Sequence, residues 1–389
     1  MLRASGAARA TAGFYLTVQA ESAPMFRRLA PLLKIFAATL LLLIAIDAAL
    51  FRSGAYNDVV KLNSTAGSVI GDTLAIERYY EAGRKNILVL GNSQIGEGFS
   101  APIADAQIGD SNVHFVNGSV AGTTPRVWDY LLREIDPEAN RFAAVALMVD
   151  YDEARNRNNF TDYSLDISYL SPLLRLRDIE TFPQSFADNA LRERARRAIV
   201  MPIQALHEDV QDLLLHPLQR ISDVSESRPT WLAAVGVYGG QDGALPPLEI
   251  DSSTGTAKSW GDYEAEWKPQ LESYFRELRR TASPALQEEN DRYQRFWVGR
   301  IADRYRANGI PVIVFNMARG PWKAELLPVP TLNPALTELR DTGKIVALRG
   351  DAFTELEKPE LFMDTQHLNR TGRERFSKLF AAQVAPLIR

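Results

Sequence analysis

The chain has 389 residues and a formal net charge of -4, enough length for one large α/β domain or for a domain with a sizeable insertion. It has no basic excess and no Lys/Arg stripe with interleaved aromatics, which argues against a nucleic-acid partner. It also has no cysteine, which excludes disulfides, thiolate zinc sites, a cysteine nucleophile and a lipid-attachment cysteine, so any membrane tether must be a helix.

The first feature in chain order is an apolar run, Ile35 to Ile46 (IFAATLLLLIAI), extended by Ala30 to Leu33 and Ala48 to Phe51 and interrupted only by Lys34 and Asp47. Spanning a bilayer takes about 20 such residues. Arg27, Arg28 and Lys34 lie on its N-terminal side, so the positive-inside bias puts the N-terminus in the cytoplasm and everything after Phe51 in the periplasm or outside the cell. A cleaved signal peptide and a buried core helix are the alternatives; no small-x-small cleavage site follows at close range. Met25 opens a second start with a basic segment directly before the apolar run, so Met1 to Pro24 are expected to be disordered or to lie outside the natural start.

The first strong strand is Asn86 to Leu90 (NILVL), a short β-branched apolar run closed by Gly91, the pattern of a buried parallel strand. A short helix, a strand near Val113 to Asn117, a helix around Arg126 to Ile135 and a strand at Ala143 to Val149 follow, and this repetition predicts a doubly wound sheet. The rhythm breaks from about Tyr151 to Pro284. That stretch holds an Asn/Arg-rich loop (Arg155 to Asn159), amphipathic segments near Ala190 to Gln219 and a Gly/Pro/Ser-rich tract from Gly236 to Gly261, and reads as an insertion over one end of the sheet. A charged helix, roughly Leu286 to Asn308, restores the rhythm and ends at Asn308-Gly309. A strand at Pro311 to Phe315, a Pro-rich loop, a strand at Lys344 to Leu348 and a terminal helix from about Thr371 to Leu387 complete the chain.

In the segment ILVLGNSQIGEGFS, Ser93 follows a buried strand directly. Open parallel sheets place ligands at the carboxyl ends of their strands, so a serine there faces a crevice. A serine hydroxyl is a weak nucleophile and needs a base. Of four histidines, His114 falls in a predicted strand, and His207 and His216 lie among apolar residues at helical spacing, where structural or solvated roles are expected. His367 stands in FMDTQHLNRTGRERF, three residues after Asp364 and just before the terminal helix. On one turn that carboxylate and imidazole can hydrogen-bond, fixing the tautomer and stabilising the imidazolium. The plainer alternative has Asp364 capping the helix and His367 packed or at the surface.

The strand-Gly-x-Ser start and the Asp-x-x-His end resemble blocks I and V of the SGNH (GDSL-type) hydrolases, a superfamily of esterases, lipases, thioesterases and carbohydrate acyl esterases. VNGSVAGTTP resembles block II, whose glycine donates a backbone N–H to the oxyanion hole. The resemblance implies a flavodoxin-like α/β three-layer sandwich with a parallel sheet of about five strands. It makes Ser93 the nucleophile, Asp364 and His367 its partners, and Ser93 with Gly122, or less well Gly118, the oxyanion donors. Block I here reads Gly91-Asn92-Ser93 instead of Gly-Asp-Ser. Where block III supplies an asparagine as third donor this chain has Asp150 and Asp152, and an ionised carboxylate cannot donate.

The resemblance covers about Asn86 to Asp152 and Pro311 to Arg389, and divides the chain into an N-terminus at 1–28, an anchor at 29–51, a linker and lead-in at 52–84 and a catalytic domain at 85–389 with its insertion at about 153–284. An anchor, an SGNH core and a long insertion together resemble the anchored SGNH proteins that work beside membrane-bound O-acyltransferases on envelope polymers. They imply an O-acyl, chiefly O-acetyl, esterase or transferase acting on a surface glycan without a cofactor or metal. A lipase or lysophospholipase, an idle scaffold, and a glycosidase using Asp150, Asp152 and Glu153 are the competing readings.

Overall fold

The structure, a computed structural model, describes residues 23–151 and 158–388, with side chains from Pro31 onward. The expectations for Met1 to Ser22, for Asp152 and Glu153 and for the start of the Asn/Arg-rich loop lie outside the described residues. The strands are β1 (Lys85–Gly91), β2 (Val113–Ser119), β3 (Ala144–Met148), β4 (Ile250–Asp251), β5 (Thr256–Ala257), β6 (Val312–Phe315) and β7 (Val346–Ala347). Five of them form one parallel sheet in the order β2-β1-β3-β6-β7, while β4 and β5 pair as a separate antiparallel hairpin. The α/β class and the five parallel strands agree with the sequence reading, and the order is the flavodoxin-like one, with its switch point between β1 and β3.

Alternation along the strands builds two apolar layers. Leu88, Leu90, Val116, Val145, Leu147 and Val314 pack beneath the helices Thr65–Tyr79, Pro125–Ile135 and Pro284–Arg306. Ile87, Val89, Phe115, Ala146, Ile313 and Phe315 face the helix Ala101–Ile108 and the terminal helix Arg370–Val384. Phe380 of the terminal helix meets Phe99, Phe315 and Phe376 within 6 Å, so the helix that follows His367 is locked to the sheet.

Two expectations are corrected. The stretch 52–84 is no linker: the helix Thr65–Tyr79, capped by Ser64 Oγ at Gly67 N–H, buries Val69, Ile70, Ala75 and Ile76 in the core. The expected strand at Lys344 to Leu348 shrinks to β7, because a sheet edge offers a ladder on one side only. Between β3 and β6 the amphipathic segments become the helices Asn189–Val200, His207–Leu215 and Pro217–Val237. At the N-terminus, the helix Ala23–Asp47 and a π-helical turn, Ala48–Arg52, contain an apolar stretch, Pro31–Arg52, of mean hydropathy 2.2. It is long and apolar enough to cross a membrane.

Candidate active site

Ser93 is the first residue of a six-residue helix, Ser93–Gly98, that turns sharply from the end of β1. The turn is capped by Asn92, whose Oδ1 accepts the Gln94 N–H at 2.9 Å. Gly91 permits the close approach: a Cβ there would stand 2.3 Å from the Ile95 side chain. At a helix start the Ser93 N–H has no intrahelical acceptor, so it is available to a ligand.

The other half of the site comes from the far end of the chain. An isolated bridge between Phe362 and Leu368 and a bond from Met363 N–H to His367 O at 3.0 Å pinch residues 363–367 into a tight loop. Inside it, Asp364 Oδ1 accepts the backbone N–H groups of Gln366 and His367, both at 2.7 Å, and Oδ2 lies 2.8 Å from His367 Nδ1. Asp364 therefore does not cap the terminal helix; Asn369 does, accepting the Gly372 N–H at 2.9 Å. His367 Nε2 lies 2.9 Å from Ser93 Oγ. With Nδ1–H donating to the carboxylate, Nε2 is the acceptor for the serine proton.

The electrostatics follow from these bonds. Burial raises the Asp364 pKa, but hydrogen bonds from the His367 ring and from two backbone N–H groups outweigh it and leave the carboxyl below its ordinary value. The hydrogen bond that its ring donates to Asp364 raises the His367 pKa against the opposing effect of burial, with the charges of Asp364 and Glu97 adding to the rise.

Gly122 stands in the turn after β2 at φ +70°, a conformation glycine adopts without strain. The turn is tied to the end of β1 by Val120 N–H to Gly91 O at 3.1 Å, and Tyr169 Oη donates to Ala121 O at 2.6 Å. Gly118 is not at this rim. It lies inside β2 opposite Leu90, and a Cβ there would crowd Leu88, Leu90 and Ile76 in the apolar layer.

A crevice of about 410 Å³ opens beside Ser93, at the carboxyl ends of β1, β3 and β6. Asn92, Asp150, Asn316, Arg319, Lys323 and Tyr274 are among its walls. Asp150 is at the rim where the sequence put it, and Asp152 is outside the described residues. Asn316 is engaged in holding strand ends, its Oδ1 accepting Tyr151 N–H and its Nδ2 donating to Met317 O. Arg319 is held by a two-pronged pair with the buried Glu357, at 2.7 and 2.8 Å.

Sequence reasoning missed the clamp behind Ser93. Arg373, buried on the terminal helix, donates from Nη1 to Gly96 O at 2.6 Å and Glu97 O at 2.8 Å, while Tyr238 Oη donates to the Glu97 carboxylate. Burial pushes the Arg373 pKa down to about 10. Its place in RTGRERF, one helical turn beyond Asn369, was the only available signal. Of the remaining histidines, His114 is structural, with Nδ1 at 2.7 Å from Asp105 and Nε2 at 2.7 Å from Tyr79 O. His207 and His216 are exposed.

Fold and site together describe a parallel α/β protein carrying a hydrogen-bonded serine–histidine–aspartate chain at the rim of its sheet. Neither a family model nor a curated protein matches the sequence.

Proposed function

We propose that this protein is a serine acyl hydrolase or O-acyltransferase of the SGNH type. The observation that carries the reading is the unbroken chain from Ser93 Oγ through His367 to Asp364, at 2.9 and 2.8 Å, assembled from segments 274 positions apart. In this mechanism His367 Nε2 takes the proton as Ser93 Oγ attacks the ester carbonyl, Asp364 stabilises the imidazolium, and His367 returns the proton to the leaving alcohol. The acyl group then rests on Ser93. Water as acceptor gives hydrolysis, and a sugar hydroxyl gives transfer. The Ser93 and Gly122 N–H groups are the proposed oxyanion donors, each worth roughly 3 kcal/mol of barrier.

The substrate class we infer is an O-acylated, chiefly O-acetylated, glycan of the cell envelope. Supporting it, the crevice beside Ser93 is walled mainly by amide, carboxylate and cationic side chains, which suit hydroxyl-rich substrates. A lipase reading draws on a second cavity of about 370 Å³ behind Glu97, walled partly by Leu62, Val120, Trp231 and Val235. We take the N-terminal apolar helix as an anchor, with the rest of the chain periplasmic or extracellular beside a membrane-bound O-acyltransferase.

The test uses the full chain in detergent with a fluorophosphonate probe and a chromogenic acetyl ester, with and without a glycan acceptor. Labelling and turnover that vanish in Ser93→Ala are expected. Wild-type protein that neither labels nor turns over, or equal labelling of Ser93→Ala, would overturn the assignment.

A further inference from the structure

We propose that the tip of the helical hairpin formed by His207–Leu215 and Pro217–Val237 is immersed in the leaflet from which the N-terminal helix emerges, so that the globular domain rests on the bilayer. The inference rests on the anchor reading above and is independent of the chemistry assigned to Ser93.

The tip reads LLLHPLQRI from Leu213 to Ile221. Leu213 packs inward, but Leu214, Leu215, Leu218 and Ile221 are 55, 65, 82 and 51% exposed. Single exposed apolar residues are ordinary; four within eight positions at one helical turn form a patch that calls for an apolar environment.

Three contacts tie this hairpin to the chain that leaves the apolar helix. Tyr56 Oη donates to Asp209 at 2.9 Å, Lys61 Nζ to Asp212 at 2.8 Å, and the buried Arg220 donates to Val59 O at 3.3 Å. The end of the apolar stretch is itself fastened to the same region: Arg52 Nη2 donates to Ile199 O at 2.5 Å, beside Val200, which is 52% exposed. The patch is thus held close to the point where the chain exits the bilayer.

The neighbouring helix Asn189–Val200 adds charge of the matching sign. Arg194 and Arg197 are exposed and, among the described residues, have no carboxylate within ion-pair range. Guanidinium groups on that helix can meet lipid phosphates while the leucines enter the acyl boundary. An apolar tip, a basic flank and a tether of a few residues together select a lipid surface as the occupant.

Because the chain lacks cysteine, one environment-sensitive fluorophore can be placed at will. Full-length Leu218→Cys and Leu215→Cys proteins, labelled and reconstituted into liposomes of phosphatidylcholine and phosphatidylglycerol, are compared with Leu41→Cys inside the anchor and Asp341→Cys on an exposed helix end. The expected result is quenching of the 215 and 218 labels by spin-labelled lipid, as at 41, with several-fold less quenching by aqueous iodide than at 341. A label at 218 open to iodide while 41 reports lipid overturns the inference and leaves the anchor intact. Shielding from iodide without lipid quenching means contact with a second copy, and also overturns it. If 41 fails to report lipid, the anchor reading falls as well.

Discussion

Asp364 holds His367 at both ends, one carboxylate oxygen 2.8 Å from the ring Nδ1 and the other 2.7 Å from the backbone N–H of the same residue. Ring orientation and loop shape therefore depend on one side chain. Asp364→Asn retains an acceptor for the backbone but loses the charge and can present the ring with a donor. It is expected to lower kcat by roughly 10²–10⁴-fold with little change in KM. Asp364→Ala should lose the loop geometry in addition, visible as lower protection of the Gln366 and His367 amides in hydrogen exchange.

The same contact sets the pH profile. In the proposed mechanism His367 accepts the serine proton only when neutral, and its pKa is raised above the ordinary 6.5 by its hydrogen bond to the Asp364 carboxylate. Ester turnover in the wild type should then rise with pH through a midpoint above 6.5, as protonated imidazole is lost. In Asp364→Asn the raising influence is gone, so the midpoint of the residual activity should move to lower pH. A midpoint that stays put, measured as log kcat/KM against pH, would show that another group controls the acid limb.

The three residues of the hydrogen-bonded chain were legible because each sits against a strong local pattern. Ser93 follows the apolar run NILVL and its closing glycine, and Asp364 and His367 precede a capped terminal helix. The clamp of Arg373, Glu97 and Tyr238 was not legible, since it joins three segments whose approach depends on tertiary packing alone. The helix Thr65–Tyr79 was missed for a different reason. Its buried face mixes Val69, Ile70 and Ile76 with Ala66, Gly67, Gly71 and Asp72, which dilutes the apolar periodicity, and at Gly71 a Cβ would come 2.9 Å from the Trp231 ring.

Gly122 provides a test of the proposed oxyanion turn. At φ +70° an alanine would be strained, and its Cβ would come 2.8 Å from Tyr169 Oη. Gly122→Ala is expected to cost about 1–2 kcal/mol of stability and to reduce kcat more than KM rises. Adding Tyr169→Phe removes the crowding oxygen but not the backbone strain, so partial recovery of kcat in the double variant is the expected outcome. Equal kcat for wild type and Gly122→Ala would exclude this turn from the oxyanion site.

The turn is also braced from behind. Asp166 Oδ2 accepts the Thr124 hydroxyl at 2.9 Å and lies 3.4 Å from the Arg126 guanidinium, with both charged side chains fully buried. Burial raises the Asp166 pKa to about 6 despite Arg126 and the Thr124 hydrogen bond, so the pair is ionised at pH 8. Asp166→Ala strands a buried cation and should cost about 3–5 kcal/mol at that pH, measured by urea unfolding. Arg126→Met with Asp166→Leu, which removes both charges, should recover much of that loss; no recovery would mean the pair is not the source of the cost.

Asp72 lies on the helix Thr65–Tyr79 against the second cavity, 6% exposed, with one carboxyl oxygen fully buried and, among the described residues, without a hydrogen-bond partner. Burial raises its pKa from 3.8 to about 8. The folded state therefore binds this proton more tightly than the unfolded chain does. Its favourable contribution is complete below pH 3.8 and is lost progressively as pH rises to about 8, where the folded protein must accept an uncompensated charge. Asp72→Asn keeps the shape and the polar burial but removes the titration. The variant should match the wild type near pH 4 and exceed it by on the order of 2–5 kcal/mol at pH 9, read as a Tm difference that widens with pH. Parallel Tm curves across that range would show that Asp72 reaches solvent or a partner when ionised, and that its burial carries no charge penalty.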